Sequence, residues 1–264
     1  HTDLRREKIM LSKAEIAAYQ APKTLLADRV IMITGAGDGI GKTAALHCAK
    51  HGATVILAGR TVAKLEQVYD SIMAEGGAEP VIYPIDLEGA SSDDYNILSN
   101  QLDEQFGRLD GLLHNAGILG QRTPMSNYRT DVWDKVMQVN VTAAFQMTQA
   151  LMPVLEKSDS ASVVFTTSSV GRVGRSFWGA YAVSKFAVEG MVQVWAAELE
   201  GLGSVRVNAI NPGATSTSMR MQAFPAENPS TVSTPEQIMP TYLYLLGADS
   251  AALNGQSIDA QPHR

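Results

Sequence analysis

The stretch TGAGDGIGKTAA, residues 34–45, follows a run of β-branched residues and opens a helical pattern. Two readings compete for it. AGDGIGKT falls one residue short of a P-loop, G-x-x-x-x-G-K-[ST], because Ala36 stands where the first glycine belongs. The same letters spell T-G-x-x-x-G-x-G, a glycine turn of the dinucleotide-binding kind. Either way the chemistry is phosphate. Glycines let the backbone approach a ligand, and a helix N-terminus offers free N–H groups and a positive dipole end. A P-loop also wants an acidic strand end for magnesium, a part that only Asp86 offers to fill. A strand–turn–helix that merely needs small residues is the third reading, so the decision must come from elsewhere in the chain.

Outward from this turn the chain alternates. β-Branched runs are VIMIT (30–34), TVILA (54–58), PVIYPI (80–85), DGLLHN (110–115), SVVFT (162–166), VRVNAI (205–210) and a weaker QSIDA near the end. Between them lie segments of helical period at 40–51, 62–75, 94–106, 131–156, 179–199 and 235–246. Near-continuous apolar strands alternating with helices predict a parallel sheet covered on both faces. The alternation spans nearly the whole chain and predicts one doubly wound α/β domain, a Rossmann arrangement, over residues 26–264. Residues 1–25 read as an N-terminal extension. Its first nine residues read as a tag remnant or upstream segment, and Ser12-Lys-Ala-Glu15 reads as a capping box opening a short helix to Tyr19.

The composition, 45% hydrophobic and 18% charged over 264 residues, is that of a globular domain of this size. A net charge of −6 argues against nucleic acid, whose binders carry a basic face. The single cysteine, Cys48, rules out an internal disulfide and points to a reducing, cytoplasmic compartment. In AALHCAKHG it reads as a buried small hydrophobe. No signal-peptide pattern and no apolar run of membrane-spanning length is present, so no membrane partner is expected.

The chemically distinctive residues follow strand ends. After the glycine turn come Gly59-Arg60, Asp86, Asn115-Ala116-Gly117, Ser168-Ser169 and Asn211-Pro212-Gly213. Open α/β sheets bind ligands outside the carboxyl ends of their strands, so six loops should converge on one crevice. What decides the phosphate question is Tyr181-Ala-Val-Ser-Lys185. Residues i and i+4 share one face of a helix. An ammonium near a phenol favours the phenolate, lowers its pKa toward working pH and makes a general acid/base. Alone, Y-x-x-x-K fits an ordinary helix face. Here Ser168 lies thirteen residues upstream after a predicted strand, and Asn140 sits in the long preceding helix in QVNVTAAF.

TGAGDGIG, HNAG (114–117), VNV around Asn140, SS before YAVSK, and NPGATSTSM (211–219) stand in the order and spacing of the short-chain dehydrogenase/reductase superfamily, which the chain resembles from about residue 26 onward. LDGLLHNAGILG, WDKVMQVNV, WGAYAVSKFAVEGM and DAQPHR are similar to its YciK-like bacterial oxidoreductases. The resemblance implies a seven-stranded sheet in the order 3-2-1-4-5-6-7. It makes Gly35, Gly39 and Gly41 the cofactor turn, with Ile40 opening the helix and Thr34, Gly37 and Asp38 in the same cradle. It assigns the adenine to Asp86 and Leu87, and gives Asn115, with Ala116 and Gly117, the part of steadying the central strand beside the cofactor. Tyr181 is then proton donor in reduction. Lys185 lowers its pKa and bonds the nicotinamide ribose, Ser168 stabilises charge on the substrate carbonyl, and Asn140 holds a water in a relay to Lys185. Pro212, Gly213, Thr215 and Thr217 line the nicotinamide side. Ser169 is the alternative to Ser168, and the spacing favours Ser168.

Cofactor choice is a charge argument. NAD enzymes place a carboxylate after the second strand, whereas NADP enzymes place an arginine near the 2′-phosphate. The turn Leu57-Ala58-Gly59-Arg60 holds no acid, and its guanidinium suits a phosphate, so NADP is expected over NAD. One departure is Asp38, where NADP members often carry a basic residue; it would repel the phosphate, and Lys42 lies far along the helix. His114, where the family usually has asparagine, reads as a packing residue. With 5 histidines and one cysteine, none in ligand spacing, no metal site is expected.

The segment 214–234, rich in Ser, Thr and Pro, has the length of a lid, with Met219, Met221 and Phe224 as apolar contacts and Trp178 also facing substrate. Helices around 131–157 and 179–200 form a subunit interface in family members, so a homodimer or homotetramer is expected. The function expected is an NADP(H)-dependent oxidoreductase of small carbonyls or secondary alcohols. The alternatives are a 3-oxoacyl-thioester reductase, with Arg172, Arg175 and Arg220 as a docking patch, and a catalytically silent nucleotide-binding regulatory protein.

Overall fold

A computed structural model describes residues 10–264. The tag-or-extension reading of residues 1–9 lies outside the described residues. The elements are α1 (Lys13–Ala17), β1 (Val30–Thr34), α2 (Gly39–Lys50), β2 (Thr54–Gly59), α3 (Val62–Ala74), β3 (Val81–Pro84), α4 (Ser92–Phe106), β4 (Gly111–His114), α5 (Thr130–Met137), α6 (Ala143–Glu156), β5 (Ala161–Thr166), α7 (Gly179–Leu199), β6 (Val205–Asn211), α8 (Ser218–Ala223), α9 (Met239–Leu246) and β7 (Ser257–Asp259). The sheet is parallel throughout, in the order β3-β2-β1-β4-β5-β6-β7, as the resemblance implied.

Strand alternation divides the core in two. Ile31, Ile33, Val55 and Leu57 face α2, α3 and α9, while Val30, Met32, Ile56 and Leu112 face α4, α6 and α7. Burying each such side chain is worth about 1.5–3 kcal/mol, which is why both faces of the strands are apolar. The capping box forms, with Ser12 and Glu15 bonding each other's backbone N–H, but α1 ends at Ala17, short of Tyr19. Ile16 sits in the same apolar cluster as α9, and Tyr19 packs edge-on against Tyr244 at 5.0 Å.

Two helices differ from the sequence expectation. The segment 131–156 is not one α-helix: a π turn over Gln138–Thr142 separates α5 from α6 and carries Asn140. A π turn inserts one residue into the helical ladder and recurs at functional sites, and hydrophobic period alone does not reveal it. The segment 235–246 begins as a 3₁₀ turn, Pro235–Ile238, before α9.

Candidate active site

The carboxyl ends of the strands open into a cleft of about 940 Å³. Of the catalytic and cofactor-binding residues expected from the sequence, all but Gly41 and Asn140 line it. Gly41 lies beneath the turn, where a Cβ would run into the Gly35 carbonyl oxygen, so only glycine lets α2 start this close. Gly35 (φ +63°) and Gly39 (φ +52°) take left-handed conformations that favour glycine. The Thr34 hydroxyl accepts from Asn115 N at 3.1 Å and Ala116 N at 3.0 Å, and the Asn115 carboxamide reaches the Gly35 carbonyl at 3.5 Å. Thr34 and Asn115 thus tie the glycine turn to the end of β4.

Beyond β2 lies a cationic end. Arg60 is exposed and makes no hydrogen bond or ion pair among the described residues. Thr61 caps α3 without a side-chain bond, and Lys64, on the first turn of α3, lines the same wall. The sequence reading missed Thr61 and Lys64, which Arg60 meets only because α3 starts directly after it. Asp38 is not the free acid expected there. Its carboxylate accepts from Gly39 N at 2.8 Å, Lys64 Nζ at 3.3 Å and the Ser218 hydroxyl at 3.5 Å. Burial raises its pKa, but those three bonds together carry it below the ordinary value. It caps α2 and carries a lysine with it.

In the middle of the cleft stand Ser168, Tyr181 and Lys185. Ser168 follows β5 and Tyr181 lies in the first turn of α7. Ser168 and Tyr181 line the same cleft, with the Ser168 hydroxyl accepting from Val170 N at 3.4 Å, whereas Ser169 is exposed. Lys185 is 4% exposed; its ammonium donates to the Thr166 carbonyl at 2.9 Å and lies 5.5 Å from the Tyr181 ring centre. Burial lowers the Lys185 pKa to about 8. The expected lowering of Tyr181 is reversed: burial pushes it up to about 12, against the smaller pull of Ser168. Desolvation of the phenolate outweighs a lysine that is turned toward Thr166.

Asn140 is buried beside this group. Its Oδ1 accepts from Ile118 N at 2.9 Å, and its amide nitrogen donates to Ile118 O at 3.0 Å and Ser184 Oγ at 3.1 Å. Both amide hydrogens are occupied, so the carboxamide clamps the segment after β4 to α7. His114 is a packing residue, as read. Its Nε2 meets Thr148 Oγ1 at 2.8 Å, its ring stacks on Phe165 at 4.5 Å, and burial lowers its pKa to about 3, which keeps it neutral.

The far wall is the segment 212–224, which takes in the first half of the stretch expected as a lid; residues 225–234 do not line the cleft. Gly213 has φ +72°, and Gln261 donates to the carbonyls of Pro212 and Ala214, both at 2.9 Å. Gln261 is a positioning residue that no local sequence signal marks, because its partners lie about fifty residues away. Thr215 donates to Gly213 O at 3.1 Å, and Thr217 caps α8 by accepting from Arg220 N at 3.1 Å. Met219, Phe224 and Trp178 line the cleft, but Met221 is 52% exposed and points away, a correction to its expected role. The expected docking patch also shrinks. Arg172 pairs with Glu189 and Asp259, Arg220 pairs with Glu227, and Arg175 alone of the three lacks an ion pair among the described residues.

A parallel sheet with its polar groups gathered at one strand edge, a glycine turn beside a cationic wall and a buried phenol–ammonium pair belongs to the dinucleotide-binding oxidoreductases. The chain is a member of the short chain dehydrogenase family, whose model matches residues 29–228. It is 53% identical over 93% of its length, and 97% of the relative's, to the uncharacterized oxidoreductase YciK of Escherichia coli K12. It is 32% identical to the 3-oxoacyl-[acyl-carrier-protein] reductase FabG of Thermotoga maritima, over 88% of this chain and 96% of that protein. A short chain dehydrogenase of Escherichia coli CFT073, solved in complex with NADPH, superposes with a TM-score of 0.89 at 53% identity, covering 92% of this chain and 100% of that one.

Proposed function

We propose that this protein is an NADP(H)-dependent oxidoreductase that transfers a hydride between nicotinamide and a carbonyl compound or secondary alcohol, with Tyr181 as general acid/base. The observation that carries the reading is the Ser168–Tyr181–Lys185 group standing in the same cleft as the glycine turn and the Arg60–Lys64 wall. We take residues 26–264 as the catalytic domain, with residues 10–25 packed on it. The glycine turn fits a dinucleotide, since a Cβ at Gly41 would displace Gly35 from its cradle. Arg60, Thr61 and Lys64 fit a 2′-phosphate with two cations and a hydroxyl at a helix N-terminus. The relative solved with NADPH supports that choice.

When bound, the nicotinamide supplies or accepts the hydride. The protein's residues handle the proton and the charge. A phenol pushed up to about 12 stays protonated at neutral pH, which suits a donor to the carbonyl oxygen in reduction. Ser168 donates to the same oxygen as negative charge gathers there, an electrostatic contribution made by a preorganised dipole. Lys185, with a pKa of about 8, is mostly cationic at pH 7 and favours the phenolate left after transfer. Asn140 holds the segment after β4 against α7, which fixes the floor. The exposed Phe145, Phe186 and Val194 on α6 and α7 suit pairing with a second copy.

A thioester reductase is the second reading. It is favoured by the FabG relative and by the unpaired Arg175 at the cleft, and it would use the same acid/base group. A silent regulatory protein would not need all four of Asn140, Ser168, Tyr181 and Lys185 in place.

The test is fluorescence titration with NADPH and NADH, with ATP as control, on the native protein, Arg60→Ala and Lys64→Ala. Charge-assisted bonds are worth about 1.5–3 kcal/mol, so each variant should lose about tenfold or more in NADPH affinity and less than twofold for NADH. Equal losses for both would make these residues structural. Binding of ATP alone would remove the whole reading.

A further inference from the structure

Arg122 stands on the segment joining β4 to α5; although exposed, its guanidinium meets two aromatic rings and two backbone carbonyls. It lies 3.9 Å over the Trp178 ring and 5.4 Å from the Phe224 ring centre. Its Nε donates to Phe177 O at 3.1 Å, and its Nη1 donates to Ala223 O at 3.1 Å. One side chain therefore joins the loop after β4, the turn before α7 and the end of α8. Each of these borders the acid/base group: the Trp178 ring is 5.7 Å from that of Tyr181, and Phe224 is 5.8 Å from Trp178.

Each contact answers a local need. Phe177 has φ +69°, a left-handed conformation that costs a non-glycine residue about 1–2 kcal/mol, and its carbonyl is held by Arg122. Ala223 ends α8, where carbonyls lack intrahelical partners and carry the negative end of the helix dipole. Arg220 also stacks on Phe224, at 3.9 Å, and makes two 2.7 Å bonds to Glu227, so the end of α8 is already braced within itself. Arg122 fastens that braced unit to the body of the domain. A planar fork that stacks and donates at once is a task lysine cannot perform.

We infer that Arg122 is a positioning residue that sets substrate specificity: it latches the lid helix α8 and holds Trp178 and Phe224 as walls of the substrate subsite beside Tyr181. This rests on the carbonyl-reductase reading above. The walls it holds, with Leu119, Val170 and Met219, are apolar and partly aromatic, so the substrate has a flat apolar body next to its carbonyl. A small aliphatic aldehyde reaches Tyr181 without touching that wall and is indifferent to the latch.

The experiment compares native protein, Arg122→Ala and Arg122→Lys in NADPH-dependent reduction of an aryl diketone and of propanal, with NADPH titration alongside. The aryl substrate should lose about tenfold or more in kcat/KM on Arg122→Ala, chiefly through KM. Propanal and NADPH binding should change less than twofold, and Arg122→Lys should not restore the loss. Equal losses on both substrates, a matching loss of NADPH affinity, or full activity of Arg122→Lys would overturn the inference. If the native protein binds NADPH but reduces no carbonyl, the reading beneath it fails instead. Amide hydrogen exchange then reads the latch directly: faster exchange at 177–181 and 218–224 in Arg122→Ala upholds the positioning role, and unchanged exchange overturns it.

Discussion

At the amino-terminal edge of the sheet, Asp110 is 1% exposed and fully engaged. It takes a 2.8 Å bond from Val30 N, 2.7 Å from Ser158 Oγ, 3.1 Å from Arg108 and 3.4 Å from Arg29. At the carboxyl-terminal edge, Lys185 is 4% exposed and donates to a single carbonyl, with no carboxylate in an ion pair with it among the described residues. Nearby, the buried Thr166 hydroxyl has no partner among the described residues. The amino edge buries a charge and satisfies it, and nothing is left over for chemistry. The carboxyl edge buries a cation and a phenol with bonding capacity to spare, and burial drives their pKa values apart, Lys185 down to about 8 and Tyr181 up to about 12. A buried charge that is completely paired reads as structure, and one left short of partners reads as a site.

Substitutions at the two edges should therefore separate activity from stability. The largest effect is expected at Tyr181→Phe, with turnover down by about 10²–10⁴-fold and NADPH affinity within about twofold. Native turnover in that variant would place the acid/base elsewhere. Asp110→Ala should do the reverse, lowering unfolding stability by about 3–5 kcal/mol in urea while activity per folded molecule holds. A parallel fall in specific activity would mean that the two edges are coupled through β4.

The smallest effect sharpens the comparison, because His114 lies at the carboxyl edge yet is buried, with its Nε2 bonded to Thr148 Oγ1. Its folded pKa is depressed to about 3, while the unfolded chain takes up a proton near the ordinary value of 6.5. The unfolded state thus binds more protons between those values, and stability falls as pH is lowered through that window. From pH 7 to pH 5 the residue should account for about 2 kcal/mol of lost stability. His114→Gln should remove that increment from urea unfolding curves, with the pH profile of turnover unchanged. A shifted activity profile would give His114 a part in proton transfer.

The parts of the site that were readable in the sequence are those whose local chemistry is unusual. Glycines at 35, 39 and 41, a Tyr and a Lys four apart, and Ser168 at a strand end each stand out against their own neighbours. Lys64 and Arg122 do not, because an exposed lysine on a helix and an arginine in a loop are ordinary until their partners are seen. Asp38 was misread for the same reason: as an isolated letter it is an acid facing a phosphate, whereas in the fold it caps α2 and pairs with Lys64. The direction of the Tyr181 shift also needed the structure, since residues distant in sequence, Leu119, Val170 and Met219 among them, bury it.

By itself the sequence determined the parallel sheet and its alternation with helices, and it singled out Ser168, Tyr181 and Lys185 as candidates. Those depend on period, on strand-end position and on i, i+4 spacing, all of which are local. Only the tertiary structure decided which cations share the wall beyond β2, where the helix over 131–156 breaks to seat Asn140, and how α8 is fastened over the cleft. The physical reason is range. Hydrophobic period is written along one element, but a hydrogen bond such as that from Gln261 to Pro212 joins residues whose proximity exists only once the sheet has closed between them.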